Sequence, residues 1–308
     1  MGGVRILFAG SPAIALPALE AVAGVASELA VMSQPDKPVG RKKILTPTAV
    51  SSWALDQGLP LYRPVDHESI TQAVSDFSPD MGITVAYGRL LRPDALALPT
   101  AGWWNVHFSL LPRWRGAAPV QNALLAGEHN TGVTIFRLDE GMDTGPLVSQ
   151  RPHPIAPGIT AGELLDELSQ VGAALLTDTL HDYSRGHQTM SPQRGEATHA
   201  PKLDRETGRI ISTDTVEMAL RRFQATTPEP GCSISWDQGG NTLKVLSATA
   251  VHHPSTAPVG TIHSTAQGVG LSLTGGVLLL HTVIPTGKRA MPAADWWRGV
   301  TREIHIDD

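Results

Sequence analysis

Cysteine is almost absent from this sequence, since Cys232 is the only one among 308 residues. A single cysteine excludes an internal disulfide bond and a metal site built on several cysteines. We therefore expect a cytoplasmic protein, because a chain without disulfides suits the reducing cytosol. Cys232 also lies far along the chain from the polar motifs described below, so we do not expect it to act as a nucleophile.

Long apolar runs and a strong charge of one sign are missing as well. No stretch approaches the ~18 consecutive apolar residues that a membrane-spanning helix needs. The start of the chain lacks the basic region followed by an apolar region that is typical of a secretory signal. The 24 Lys/Arg and 29 Asp/Glu residues give a net charge of −5. Such a chain has no overall attraction for nucleic acid, so any contact with RNA has to be local.

The composition is that of a globular protein with more than one core. Hydrophobic residues make up 41% of the chain and charged residues 17%, which excludes a disordered or fibrous protein. The length favours two domains. In the first half, strand patterns alternate with helical or loop segments, which predicts an α/β domain with a Rossmann-like, mostly parallel sheet. The predicted strands cover residues 4–9, 29–33, 81–86, 103–107 and 131–138.

The turn after the first predicted strand argues against a dinucleotide site. The sequence from Gly10 to Ala13 lacks the three spaced glycines that bring a backbone against a pyrophosphate. We interpret it as a tight connection from the strand into a helix.

The second half of the chain changes character. A capping box at Thr160 and Glu163 predicts the start of an amphipathic helix that extends to Leu180. Beyond it, Gly, Pro, Gln and Ser mix with charged residues in the manner of a connector. Short strand patterns separated by Gly- and Pro-containing turns then predict a small β-barrel. We expect a catalytic domain over 1–184, a linker over 185–207 and a barrel over 208–308.

The stretch 103–121 carries the groups suited to catalysis. Asn105 and His107 alternate with apolar neighbours on a predicted strand, so both project from one face at the strand's carboxyl end. Asp143 lies in a glycine-bracketed loop that can approach them, although on its own it could shape a local Asx turn. Zinc is an alternative role for His107 and Asp143. The absence of paired cysteines and of a His-x-x-x-His helix argues against any metal.

These residues form a recognisable pattern: Asn105-Val-His107-Phe-Ser109-Leu-Leu-Pro112, then Arg-Gly-Ala-Ala-Pro over 115–119, then Asp-Thr-Gly over 143–145. The pattern resembles the signature of the formyltransferases that use 10-formyltetrahydrofolate, and the resemblance extends nearly from end to end. It implies transfer of the formyl group to the α-amino group of methionine carried by initiator tRNA, for translation initiation. It also implies a monomer and an OB-like barrel that helps to hold the tRNA.

Several alternatives remain open at this point. A related folate-dependent formyltransferase could act on a small amine, such as an amino sugar or a glycinamide nucleotide. The chain could also be a 10-formyltetrahydrofolate hydrolase or a catalytically idle RNA-binding module. A basic loop and the barrel oppose a small amine, and the intact Asn105, His107 and Asp143 oppose an idle module.

The expected chemistry follows from the functional groups. When an amine attacks a formyl carbon, negative charge develops on oxygen and a surplus proton on nitrogen. Asn105 can donate to the oxygen, and His107 can assist the proton transfer. Asp143, if close to His107, would stabilise the imidazolium and orient the ring. No covalent intermediate with the protein is needed.

The resemblance also implies two sets of binding residues. The implied folate-contacting residues are Tyr87, Gly88, Leu90, Leu91, Ser109, Leu110, Leu111, Pro112, Asp139 and Gly141. In the loop 34–47, Arg41, Lys42 and Lys43 are implied to enter the acceptor end of the tRNA, although four cations there could also be a solvated charge run.

From residue 201 onward ten Lys/Arg balance ten Asp/Glu, so tRNA contact in the barrel would need a one-sided stripe. The candidates are Arg221, Arg222, Lys244, Lys288, Arg289 and Arg298. Two departures from the family pattern are Phe108, where many relatives carry Gly, and the Pro-rich run 227–231.

Overall fold

The computed structural model describes residues 3–40, 42–253 and 255–308. They divide into two compact units. The first comprises residues up to Gly116, Asn130–Pro154 and Leu165–His199, and the second comprises Ala117–His129, Ile155–Leu164 and Ala200–Asp308. An α/β unit and a unit built on a curled β sheet confirm the predicted fold class.

A seven-stranded sheet forms the centre of the first unit. Its order is β5 (Leu61–Tyr62), β2 (Glu28–Met32), β1 (Arg5–Gly10), β6 (Met81–Val85), β7 (Trp103–His107), β8 (Asn130–Arg137) and β9 (Leu147–Pro154). The first five strands are parallel, whereas β8 pairs in antiparallel fashion with both β7 and β9. The sheet is therefore mostly parallel, as predicted. The prediction missed β9, because an edge strand that is half exposed has no apolar run.

The helices are the 3-10 turn Ala13–Ala15, α1 (Leu16–Ala23), α2 (Ala49–Asp56), α3 (His67–Phe77), α4 (Pro93–Leu96), α5 (Pro119–Ala126) and α6 (Ala161–Ser184). Capping residues in the sequence account for where three of these helices begin. The Thr48 side chain accepts the Ser51 amide at the start of α2, and Asp66 and Ser69 form a capping box for α3. The predicted box before α6 is present, since Glu163 accepts the Thr160 amide over 2.9 Å.

Two tryptophans at the start of β7, the predicted catalytic strand, are buried in the first unit. Trp103 and Trp104 are both fully buried, and the Trp103 indole donates to the Ala95 carbonyl over 3.0 Å. Gly82 on β6 pairs with Trp103 on β7, and any side chain at Gly82 would collide with the indole ring. The glycine therefore leaves room for the ring that supports the end of β7.

The basic segment expected to be an open loop contains a short hairpin, β3 (Lys37–Val39) paired with β4 (Ile44–Thr46). The left-handed Gly40 and Lys43 close its turn, with φ of 71° and 48°. Lys42 and Lys43 are exposed, and Arg41 lies outside the described residues. The sequence did not indicate strands here because Val39 and Ile44 are themselves exposed, so neither strand has a buried face.

The second unit is built on an eight-stranded sheet. Its order is β10 (Arg209–Ile210), β11 (Cys232–Trp236), β12 (Asn241–Val251), β15 (Gly276–Pro285), β14 (Gly268–Leu273), β13 (Thr261–Thr265) and β17 (Ile304–His305), with β16 (Met291–Pro292) beside β15. The second unit also contains α5 and two further helices, α7 (Val216–Thr226) and α8 (Ala293–Trp297). Alternating buried residues of these strands, such as Ile234, Leu243 and Val245, form one apolar core.

Across the three described ranges, no helix is long and apolar enough to span a membrane.

Candidate active site

The end of β7 presents Asn105 and His107 on one face, as the alternation predicted. Asn105 is half-buried, and its side-chain oxygen accepts a hydrogen bond from the Thr84 hydroxyl over 2.7 Å. Thr84 is its register partner on the neighbouring strand β6. Because the oxygen end of the amide is held by Thr84, the NH₂ end is turned away from it as a donor. Thr84 lies outside the motifs that indicated the site in the sequence.

His107 is buried and its ring is oriented by main-chain and side-chain partners. Nε2 lies 2.9 Å from the Trp114 carbonyl oxygen. A carbonyl can only accept, so Nε2 carries a proton and Nδ1 is the nitrogen that can gain one. Nδ1 faces Asp143 Oδ2 at 3.7 Å. The Phe136 ring packs edge-on against the imidazole at a centroid distance of 6.2 Å.

Two opposing effects act on the pKa of His107. Burial lowers it, because desolvation penalises the charged ring. The Asp143 carboxylate and the Trp114 carbonyl act in the other direction, because both stabilise the imidazolium. Burial prevails, so the pKa lies below its usual value of 6.5. The ring is therefore neutral near pH 7 and available as a base.

The Asp143 carboxylate is fixed by a partner far away in the sequence. Oδ2 accepts the Gly116 amide over 2.7 Å. The local Asx turn considered for Asp143 is made by Asp139 instead, whose Oδ1 accepts the Gly141 amide over 3.0 Å and the Thr144 hydroxyl over 2.7 Å. Gly145 ends the loop where any added side chain would collide with the Arg137 carbonyl.

Two main-chain carbonyls of the same loop accept hydrogen bonds from a side chain in the segment between the two predicted domains. Gln193 Nε2 lies 2.8 Å from the carbonyl oxygens of both Asp143 and Gly145. This region was predicted to be a linker, and its sequence pattern did not indicate Gln193 as a site residue. A single glutamine in a Gly-, Pro- and Ser-rich stretch gives no signal by itself.

The loop after β7 is held by hydrogen bonds from two neighbouring strands. The Ser109 hydroxyl donates to the Arg113 carbonyl over 2.6 Å, so it serves the loop itself. The Thr134 hydroxyl donates to the Ser109 carbonyl over 2.6 Å and accepts the Leu111 amide over 3.1 Å. Gln150 Nε2 donates to the Leu111 carbonyl over 2.9 Å. Thr134 and Gln150 were not identified from the sequence.

The apolar residues of this loop differ in exposure. Leu111 and Pro112 are buried, whereas Leu110 is half-buried and packs against Gly132. Leu110 is therefore the member of this group that can offer an apolar surface to a ligand.

The turn after β6 combines anchored and exposed residues. The Tyr87 carbonyl accepts hydrogen bonds from the Ser11 hydroxyl over 3.3 Å and from Gln34 Nε2 over 3.1 Å. Both lone pairs of that oxygen are thus used inside the protein. The Tyr87 side chain and Leu91 are buried, and burial raises the pKa of the Tyr87 phenol to about 12.

The exposed part of the same turn is Gly88, with φ of 76°, and Leu90, which is 70% exposed. Among the implied folate-contacting residues of this turn, these two are accessible to a ligand.

The cations of the second unit that were candidates for tRNA contact differ in exposure. Arg222 is not exposed in a stripe, because its Nε lies 3.0 Å from the buried Asp214 carboxylate and its Nη1 lies 3.0 Å from the Thr207 carbonyl. Arg221 packs directly over Gly127, at the carboxyl end of α5. The exposed members of the set are Lys244, Lys288, Arg289 and Arg298.

Within the part of the chain that the structure describes, no group of three or more His, Cys, Asp or Glu side chains is arranged to hold a metal. Cys232 is buried in the second unit, and burial raises the pKa of its thiol to about 12. Such a thiol stays protonated and unreactive at neutral pH.

Comparison with protein families matches residues 9–180 to a family described as formyl transferase. Residues 202–301 match a second family, described as formyl transferase, C-terminal domain. A methionyl-tRNA formyltransferase from Paenarthrobacter aurescens (strain TC1) is 40% identical over 299 residues, which cover 96% of this chain and 97% of that protein.

Solved structures share the fold at lower identity. A variant of HypX from Aquifex aeolicus is 17% identical with a TM-score of 0.70, and the match covers 98% of this chain but only 49% of that one. An N-formyltransferase from Helicobacter canadensis, in complex with folinic acid and dTDP-3-aminofucose, is 16% identical with a TM-score of 0.65. That match covers 90% of this chain and 98% of the other.

Proposed function

The chain belongs to the formyltransferase family, and on that premise we propose that it transfers the formyl group of 10-formyltetrahydrofolate to the α-amino group of methionine on initiator tRNA. The observation that carries the proposal is the arrangement of Asn105, His107 and Asp143 at the end of β7. It occurs in a chain that is 40% identical over nearly its whole length to a methionyl-tRNA formyltransferase. The product is the formylated initiator used in translation.

Asn105 supplies the electrostatic part of the mechanism. Attack of the amine on the formyl carbon produces a tetrahedral centre with negative charge on oxygen. The Asn105 NH₂, directed by the Thr84 hydrogen bond to Oδ1, is a preorganised donor for that oxygen. A donor fixed before the reaction needs no reorganisation when the charge develops.

His107 supplies the proton transfer. Its neutral ring can accept at Nδ1 the proton that the attacking nitrogen loses, while Nε2 stays bound to the Trp114 carbonyl. The Asp143 carboxylate, 3.7 Å from Nδ1, then stabilises the imidazolium. When the tetrahedral centre collapses, the bond between the formyl carbon and the folate nitrogen breaks. The imidazolium returns the proton to that nitrogen, so tetrahydrofolate leaves and His107 is neutral again. General acid–base assistance of this kind contributes roughly 10²- to 10⁴-fold in rate.

10-Formyltetrahydrofolate is a co-substrate that brings the reacting carbon, and the protein's task is to place it. Gly88 and Leu90 after β6, Leu110 after β7 and the Asp139–Gly141 turn are the accessible parts of the proposed folate surface. Tyr87, Leu91, Ser109, Leu111 and Pro112 support it from within. An apolar lining with few polar groups suits a flat heterocycle.

The tRNA is proposed to contact the exposed hairpin of β3 and β4. Lys42 and Lys43 stand at its turn, and Arg41 completes the proposed cationic set. Flexible cations neutralise phosphates at the cost of salt sensitivity. In the second unit, Lys244, Lys288, Arg289 and Arg298 are the exposed candidates for further phosphate contacts.

We propose the predicted domain organisation for the chain, with the segments 117–129 and 155–164 of the catalytic domain grouped with the second compact unit. Residues 1–184 form the catalytic domain, 185–207 the linker and 208–308 the tRNA-binding domain, in a monomeric cytoplasmic enzyme. The first part of the linker packs with the first unit, which extends to His199.

The alternatives have less support. A formyltransferase that binds an amino sugar nucleotide matches this chain at 16% identity, far below the 40% of the methionyl-tRNA formyltransferase. Release of formate to water needs a direct test. Incubation of the protein with 10-formyltetrahydrofolate and no acceptor should give negligible tetrahydrofolate, and addition of methionyl initiator tRNA should start turnover. Equal turnover with and without acceptor would replace this proposal by a hydrolase.

A further inference from the structure

We propose that Gln193 is a positioning residue for the proposed transfer reaction, because it fixes the loop that holds the Asp143 carboxylate at His107. The inference rests on the proposed function for its kinetic consequences. It concerns a residue 50 positions away from Asp143, in a segment expected to be only a linker.

The Gln193 side chain connects both sides of the site. Its Nε2 donates to the carbonyl oxygens of Asp143 and Gly145, each over 2.8 Å. Its Oε1 accepts from Arg115, over 3.1 Å from Nε and 2.6 Å from Nη2. One amide thus joins the loop that carries the carboxylate to the loop that follows His107.

The chemistry of these partners allows only one orientation of the amide. Two carbonyl oxygens can only accept, and a guanidinium can only donate. Rotating the amide by half a turn would oppose acceptor to acceptor and donor to donor. A methylene analogue or a carboxylate cannot replace the amide, since neither offers two donors and an acceptor at the same time.

The segment that carries Gln193 is itself fastened to the site at both ends. Ser191 exchanges main-chain hydrogen bonds with Leu147, over 2.7 and 3.0 Å. The Thr198 hydroxyl accepts the Trp114 amide over 2.8 Å, and the Thr198 carbonyl accepts the Arg115 amide over 2.9 Å. Trp114 is the residue whose carbonyl binds His107 Nε2. The segment 191–198 therefore supports both partners of the imidazole.

Asp143 has a particular need for such support. Its φ of 53° lies in the left-handed region, which Asp adopts more readily than most residues with a side chain but which still favours glycine. The donated hydrogen bond from Gln193 holds the Asp143 carbonyl in that conformation, and the Gly116 amide holds the carboxylate. Without Gln193 the loop can relax, and the carboxylate moves away from the ring.

Relaxation of the loop changes the pKa of His107 in one definite direction. Asp143 is the carboxylate that faces the ring, and Trp114 and Phe136 contribute an uncharged carbonyl and an uncharged ring. The Arg115 cation stands at the far end of Gln193. The carboxylate raises the pKa of His107 against the effect of burial. A weaker interaction between the Asp143 carboxylate and the ring therefore lowers the pKa of His107 further.

The test compares Gln193→Met, which keeps the length of the side chain but makes no hydrogen bonds, with Gln188→Met in the same predicted linker, outside the segment 191–198. Gln188 donates to the carbonyl of its neighbour Thr189 over 3.3 Å, so that hydrogen bond stays within the segment. Histidine-selective ¹⁵N NMR follows the titration of His107 in the ligand-free protein, with His107→Ala identifying the signal. Steady-state kinetics, with methionyl-tRNA and 10-formyltetrahydrofolate varied in turn, give kcat and the KM of each substrate.

The expected result for Gln193→Met is a His107 titration at lower pH and a kcat about 10-fold lower. The KM values for methionyl-tRNA and for 10-formyltetrahydrofolate should both stay within about twofold of the original. Gln188→Met should match the unsubstituted protein. An unchanged His107 titration in Gln193→Met would overturn the inference, whether or not activity falls. Because this titration needs no substrate, failure of the proposed function would appear separately, as absence of transfer by the unsubstituted protein.

Discussion

Thr84 and Asn105 lie opposite each other on the parallel strands β6 and β7, and the Thr84 hydroxyl donates to Asn105 Oδ1 over 2.7 Å. This single hydrogen bond decides which end of the amide is offered to the site. An amide held by its oxygen presents its NH₂ group, which is the end that can stabilise an oxyanion.

Thr84→Val should therefore lower kcat about 10-fold with little change in KM, because valine keeps the shape of threonine but leaves the amide free to turn. The matched control is Thr131→Val. The Thr131 hydroxyl is buried and has no hydrogen-bond partner among the described residues, so its replacement should not reduce kcat. Steady-state kinetics of both variants make the comparison. Equal kcat for Thr84→Val and the unsubstituted protein would show that Thr84 does not orient Asn105.

His107→Ala should reduce kcat by roughly 10²- to 10⁴-fold, since it removes the group that accepts the proton. The fold should remain, because the ring lies at the end of β7 and the apolar core around Trp103 does not include it. Single-turnover formyl transfer measures the rate, and circular dichroism and thermal melting check the fold. Near-normal turnover would contradict the assigned role.

Asp143→Asn should change the pH dependence in a defined direction. The carboxylate raises the pKa of His107, and its loss leaves the lowering effect of burial unopposed. Since the base must be neutral, the acid limb of kcat/KM should move to lower pH. The plateau should fall by about 10²-fold because the imidazolium is no longer stabilised. A limb that moves to higher pH, or does not move, would refute the proposed pairing.

Replacement of Arg41, Lys42 and Lys43 by Ala should weaken the use of tRNA and flatten its salt dependence. For each phosphate that these cations no longer neutralise, the slope of log K against log salt should decrease by about one. Binding of methionyl-tRNA at several salt concentrations measures the slope. The control is the double variant Lys202→Ala and Arg205→Ala, two exposed cations outside the proposed contact sets. An unchanged slope in the triple variant would show that these residues are a solvated charge run without a role in tRNA binding.

Asp214→Ala should destabilise the second unit by about 3 to 5 kcal/mol, because it leaves Arg222 without its buried counterion. Asp295→Ala removes an exposed carboxylate that pairs with Arg298 over 2.7 Å, and it should cost less than about 1 kcal/mol. Urea unfolding of the two variants measures the difference. Similar destabilisation of the two variants would mean that the buried ion pair contributes no more to the free energy of unfolding than the exposed one.

The sequence indicated the strands that have a strong apolar pattern and missed those that do not. Strands β1, β6 and β7 are almost entirely buried, so their apolar residues stand out. Strand β9 and the hairpin of β3 and β4 are exposed on at least one face, and no local pattern distinguishes them from loops.

The candidate site shows the same division between local and distant information. Asn105, His107 and Asp143 could be named because a compact motif carries them. Their partners Thr84, Gly116 and Gln193 could not, because each contact joins residues 21, 27 or 50 positions apart and depends on how the chain folds. Arg222 was placed in an exposed stripe for the converse reason, since its buried counterion is invisible in the sequence.

The most direct test of the account is formyl transfer from 10-formyltetrahydrofolate measured with four conditions in parallel: methionyl initiator tRNA, uncharged tRNA, free methionine and no acceptor. We expect a formylated product with methionyl initiator tRNA alone, and loss of that product in His107→Ala. Transfer to free methionine at a similar rate would contradict the role given to the tRNA. Formate release in all four conditions would contradict the transfer reaction itself.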